Sequence, residues 1–527
     1  MIHNVPSSIF NEVLGPVMIG PSSSHTAAPA RIGKVTHMLL GDTPKKIEIT
    51  FEKGSSYAVV YKAQGSDYGF VGGIMGMNII EESIKHSLKL AKEQGIDVTF
   101  TINPESVPPR HPNWAKIHVL GKNGGEVTVE SLSTGGGMFE VIKFEEFPVM
   151  IQGACYQLLV VCTSEAALQK VNKILVDAGL VTQTTTARGN KRFMLNIQSE
   201  KRIPQAQQKQ IKELPDVILK EILPIMPVVK KADAKPVFIT SDECLEYLKA
   251  HPDKELWELA CDYESSISGK SKEELLEVAK DIALIMEDSG KKALAGNYEA
   301  RGFLPPQSPI IVKNLEKSRE RWLDMGILNE AALWASGMME YDICRGRTVA
   351  APTGGSCGVI PGAVVYIGRR MGKSDLELAK AIMVTGLIGV FIIHQSSYAG
   401  EVCGCQAEIG SACAMAAAGL VQLMGGTPKE GFAAATLTIQ NMMGLICDPV
   451  AGVGNIPCVS RNSLGAANAV LSANMVMNGF DPYIPLDETI DCMWKVGNLM
   501  PTEFLCTGKG GLAATKTGKR VFEELGY

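Results

Sequence analysis

The spacing of apolar residues changes twice along the chain. Before about residue 147, short alternating runs mix with helical periods. Lys46–Phe51 and Tyr57–Lys62 alternate and predict strands, as do Val98–Ile102, Ala115–Leu120 and Glu126–Glu130. Ile80, Ile84, Leu88 and Ala91 recur at helical spacing, which predicts an amphipathic helix over Ile80–Gln94.

From about 148 to 230 the order reads β-α-β-β-α-β. Gln157–Cys162, Val181–Ala187, Arg192–Ile197 and Val217–Ile222 are the expected strands. Ser164–Ala178 and Gln205–Leu214 are the expected helices, and Arg188-Gly189-Asn190-Lys191 is the hairpin turn. This order is that of a ferredoxin-like sandwich, and on topology it resembles the ACT-type regulatory module. Val228–Pro236, with three lysines and two alanines, reads as a linker.

Beyond 238 the pattern is helical almost throughout, rich in Ala, Met and Leu and punctuated by Gly and Pro. Ala379–Ile393 and Gln440–Cys447 are apolar nearly all round, so other helices must wrap them. The most apolar stretch, Ala381–Ile393, is shorter than the roughly 20 residues a membrane span needs, and reads as a buried core helix. The expected fold is multidomain. An α+β domain covers 1–147, a ferredoxin-like (ACT-like) βαββαβ domain 148–230, and an all-α domain 238–527.

Composition narrows the function classes. With 527 residues, about three domains fit at roughly 150 residues each. A net charge of -5 and 6% aromatics argue against a nucleic-acid binder. The N-terminus lacks a basic and then apolar leader, and the 13 cysteines are an odd number. Both point to a reducing cytoplasm, with cysteines as core residues, ligands or nucleophiles.

Four clusters carry candidate chemistry. Gly20-Pro21-Ser22-Ser23-Ser24-His25-Thr26 opens a helix. Its free amides and hydroxyls suit a carboxylate, and His25 titrates near neutral pH. An ordinary Ser cap with a solvated His reads equally well. Ala351-Pro352-Thr353-Gly354-Gly355-Ser356-Cys357-Gly358 is either an anion cradle or a tight interhelical turn. It is not a Walker loop, since no Gly-Lys-Ser/Thr follows.

Cys403, Cys405, Cys413, Cys447 and Cys458 form the third cluster. Cysteines beside Gly and Pro can converge on an iron–sulfur centre, whereas scattered core cysteines would look much the same. No C-x2-C pair supports a zinc ribbon. The fourth cluster, Pro501–Ala513, is a Gly-rich segment around Cys506, or simply a loop before a last helix.

Taken in order, these segments resemble the iron–sulfur L-serine dehydratases over nearly the whole chain. Residues 1–147 resemble the family's β chain, through Gly20–Gly33, Gly65-Ser66-Asp67, Val71-Gly72-Gly73 and His111-Pro112-Asn113. Residues 238–527 resemble its α chain, through Ala-Pro-Thr-Gly-Gly, Gly-Cys-Gln-Ala-Glu, Cys-Asp-Pro-Val-Ala-Gly and Gly-Gly-Leu-Ala. The resemblance implies a β–α fusion with a [4Fe–4S] cluster on Cys405, Cys447 and Cys458, one iron being open as an oxygen-sensitive Lewis acid.

It further implies His25 as the base for the Cα proton. Ser22, Ser23, Ser24, Thr26, Thr353, Gly354, Gly355 and Ser356 would hold the substrate. The expected partner is a small amino acid, with no nucleic acid or membrane, in a cytoplasmic homodimer.

Several positions depart from the family pattern. Leu505-Cys506 replaces Arg-Glu, Gly354 stands where some members have Asn, and Glu299–Gln307 lacks a small Thr/Ser-Gly-Gly run. An extra residue precedes Cys405 in Glu401-Val402-Cys403-Gly404-Cys405. The same lyase chemistry on cysteine or threonine is therefore the nearest alternative, and an amino-acid-sensing protein is the alternative from another class. A pyridoxal-phosphate enzyme would need a Schiff-base lysine motif that the chain does not offer.

Overall fold

A six-stranded sheet organises the first region. In the computed structural model, which describes residues 6–104, 109–180, 183–231 and 234–526, its order is Asp97–Asn103, Pro44–Glu52, Trp114–Gly121, Glu126–Gly135, Met138–Phe144, Phe147–Ile151. The first two strands run parallel and each later neighbour is antiparallel. Alternation drives it: Ile47, Ile49 and Phe51 point inward with Ile117, Val119, Val127 and Val129. Helix Ala28–Leu40 covers that face through Ile32, Val35 and Leu39.

Two expectations in this region need correction. Tyr57–Lys62 is not a strand, because Ser56–Val60 is a helix capped by the Ser55 side chain, which accepts from the Ala58 amide at 3.1 Å. Tyr57 and Val60, three apart, face inward while Val59 is exposed. The expected Ile80–Gln94 helix splits into a tight turn, Glu82–His86, and a helix, Ser87–Glu93. Ile84 and Ala91 are buried, but Ile80 and Leu88 face solvent.

The middle region forms a four-stranded antiparallel sheet, ordered Val217–Ile222, Tyr156–Cys162, Phe193–Ser199, Gln183–Arg188. Leu158, Val160, Leu195 and Ile197 pack beneath helices Glu165–Asp177 and Gln205–Lys212. Leu159, Val161, Met194 and Ile222 on the other face join the core of the six-stranded sheet. The expected strand start at 181–182, and 232–233 of the expected linker, lie outside the described residues.

In the third region helix Ser411–Leu423 is wrapped by Asp375–Gln395, Pro428–Met442 and Cys458–Met477. Asp375–Gln395 is long and apolar enough to cross a membrane, yet 78% of its apolar window is buried inside the protein. Gln440–Cys447 is not a helix: Pro428–Met442 ends early, and Gly444 at φ +82° turns the chain. The Gly444 amide donates to Gln406 Oε1 at 2.9 Å, which pins the turn after the helix.

Two contacts tie the first residues to this bundle. Ile9 and Val13 belong to the helical core, seated where Cβ atoms at Gly386 and Gly389 would lie 2.3 Å and 2.2 Å from them. Strand Val17–Ile19 then pairs antiparallel with Arg347–Val349.

Candidate functional site

That two-stranded ribbon delivers Ser22–Ser24 to the Thr353 loop, where a cavity of about 350 Å³ opens. Its walls include Ser22, Ser23, Ser24, Thr353, Gly355, Cys447 and Cys458. The serine turn is capped by Ser22, whose Oγ accepts from the His25 amide at 3.1 Å. Ser23 Oγ accepts from the Gly354 amide at 3.0 Å, locking the two loops together. A Cβ at Gly354 would lie 2.9 Å from the Ser23 nitrogen, so the contact requires glycine.

Not every expected binding residue faces the cavity. Thr26 Oγ1 donates to the Gln64 carbonyl at 2.6 Å, and Ser356 Oγ lies 3.1 Å from Thr353 Oγ1. These two side chains brace the loops from behind.

His25 also lies behind the wall, with no exposed surface. Its Nδ1 is 2.9 Å from Ser24 Oγ and its Nε2 2.9 Å from Ser56 Oγ. Ser24 Oγ is 3.1 Å from Glu401 Oε1, which is itself 3.7 Å from His25 Nδ1. Burial pushes the imidazole below its usual value, and the Glu401 carboxylate draws it partly back. The edge of the ring meets Tyr57 at 5.2 Å between centroids.

The cysteines converge from loop ends. One ligand atom each from Cys405, Glu408 and Cys447 lie within 4.8 Å of one another. A hydrogen bond with Cys447 draws the Cys405 thiol below its usual value, with the Arg461 guanidinium 3.5 Å away acting the same way. Cys447 is pushed well above the usual thiol range by Cys405, and Cys458 chiefly by burial. Cys458 is not in the close group of Cys405, Glu408 and Cys447 but lines the cavity with Cys447, so the thiols available to an iron–sulfur cluster here are Cys405 and Cys447, with Cys458 in the adjoining wall.

Sequence reasoning passed over Glu401, Glu408 and Arg461 as site residues. Glu408 accepts from Thr353 Oγ1 at 2.7 Å, and Arg461 pairs with Asp448 at 2.9 Å. Burial holds the Glu408 carboxyl well above its usual range, and the charges of Cys405 and Glu401 push the same way. Lys62, Arg301 and Arg345 also line the cavity and bring positive charge to it.

Residues 251–513 match the family model for the serine dehydratase alpha chain. The chain is 35% identical over 262 residues to a probable L-serine dehydratase, alpha chain, of Bacillus subtilis, covering 50% of this chain and 87% of that one. It is 40% identical over 194 residues to the L-serine dehydratase, alpha chain, of Peptoniphilus asaccharolyticus, covering 37% and 66%. It is 38% identical over 191 residues to the L-serine dehydratase TdcG of Escherichia coli, covering 36% and 42%.

Proposed function

Since the chain belongs to the serine dehydratase alpha-chain family, we propose that it deaminates L-serine to pyruvate and ammonia, with a [4Fe–4S] cluster held by Cys405, Cys447 and Cys458. One observation carries this reading: Cys447 and Cys458 line the same cavity as the Ser22–Ser24 turn and Thr353 and Gly355, and Cys405 groups with Cys447 and Glu408 beside it. When bound, the cluster supplies a Lewis-acidic iron that turns the β-hydroxyl into a better leaving group.

The protein's own residues do the rest. The serine turn, with Thr353 and Gly355, binds the substrate carboxylate and ammonium, and Ser356 holds the Thr353 loop in shape. The Ser24 hydroxyl, which donates to Glu401 at rest, turns its proton to His25 Nδ1 as its oxygen receives the Cα proton; this requires the tautomer in which Nε2–H donates to Ser56. Glu401, beside Nδ1, stabilises the imidazolium that forms. Loss of water leaves an aminoacrylate, which tautomerises to the imine and hydrolyses to pyruvate and ammonia.

We read residues 1–147 as β-chain-like, 148–230 as ACT-like and 238–527 as α-chain-like. The antiparallel sheet order and the two helices on one face support the middle assignment. Iron, sulfide and broad absorption near roughly 400 nm after anaerobic reconstitution test the cluster. Protein that binds no iron under those conditions would overturn it.

A further inference from the structure

Cys506 stands in the same cavity wall as Cys447 and Cys458. The backbone puts it there: the Cys447 amide donates to the Phe504 carbonyl and the Cys506 amide to the Cys447 carbonyl, both at 2.8 Å. These bonds make a short parallel bridge between Cys447 and Leu505. Cys506 itself sits at φ +61°, a conformation that a side chain disfavours. The result is a thiol anchored beside Cys447 that shares the cavity wall with Cys447 and Cys458.

We propose that Cys506 is a fourth thiol ligand, closing in the resting protein the iron position that Cys405, Cys447 and Cys458 leave open. This rests on the cluster reading above. Three features favour it over an idle core cysteine. Cys506 is half-buried on the cavity side, whereas Cys413 is fully buried and bonded to the Gly465 carbonyl. Its amide is anchored on the Cys447 carbonyl, which holds the two residues together at the cavity wall. It opens a segment containing Gly508, Gly510 and Gly511, which lets the loop adjust to a metal and withdraw from it. Ligation releases the thiol proton to solvent and involves no electron transfer.

The test uses full-length protein, reconstituted anaerobically and then titrated with ferricyanide. Wild type, Cys506→Ala and Cys413→Ala are compared by iron content and by electron paramagnetic resonance. All three should begin with four irons per cluster. On mild oxidation Cys506→Ala should lose one iron and show a three-iron signal, at oxidant levels where wild type and Cys413→Ala stay silent. If Cys506→Ala takes up less iron with an unchanged circular dichroism spectrum, the ligand role is equally supported. Equal conversion of wild type and Cys506→Ala would overturn the proposal and leave the cluster standing. Absence of iron from wild type would overturn both.

Discussion

Ser24 Oγ and Glu401 Oε1 meet at 3.1 Å across 377 positions of sequence. The contact joins the serine turn of the first region to the helical region, with His25 Nδ1 within 2.9 Å of the same hydroxyl. In the proposed reaction, proton acceptance would draw on residues from both regions. Glu401→Gln and His25→Ala should each keep full iron content and lose turnover by about 10²–10⁴, the usual scale for one acid–base group. Turnover within a few-fold of wild type in both would remove this unit from the reaction.

The cysteines divide by position. Cys405→Ser, Cys447→Ser and Cys458→Ser should lose iron and activity together. Cys413→Ala should retain both, because its thiol is bonded to the Gly465 carbonyl, inside the bundle. Iron analysis of the four variants decides; full iron in all three serine variants would refute the ligand set.

Gly354 is required by contact. Gly354→Asn brings a Cβ within 2.9 Å of the Ser23 nitrogen. We expect a loss of about 1–3 kcal/mol in stability, the range for overpacking, and a larger rise in KM than fall in kcat, since the displaced serine turn is the proposed substrate-binding segment. An unchanged KM would show that the turn does not touch it.

Some of this was legible in the sequence and some was not. Strands such as Lys46–Phe51 and helices such as Ala379–Ile393 could be read because their periods are long and regular. Ser56–Val60 misled because Tyr57, Val59 and Val60 favour strands in isolation, while a single Ser55 cap and two inward residues decide for helix. The end of Pro428–Met442 is set by Gln406, a tertiary partner with no local trace. Glu401 is one of 56 acidic residues, and only its distant contact with Ser24 marks it out. The cysteines stand out only through the family motifs around them, since their spacing alone also suits scattered core cysteines.

Glu264 gives the fold a pH dependence. It is fully buried, accepts from Ser8 Oγ at 2.6 Å and the Ile9 amide at 2.7 Å, and burial raises its carboxyl from 4.5 to about 7. The folded state therefore keeps a proton that the unfolded chain releases above 4.5. Its contribution to stability is complete below that value and is lost as pH rises through about 7. Glu264→Gln should flatten the denaturation midpoint across this window; an unchanged slope would contradict the assignment.

Turnover of L-serine by the full-length protein, with and without iron, tests the central claim most directly. After anaerobic reconstitution, pyruvate and ammonia should appear in equal amounts from L-serine, in proportion to bound iron, and faster than keto acid from L-cysteine or L-threonine. The same rate from iron-free protein, or turnover confined to another amino acid, would contradict it.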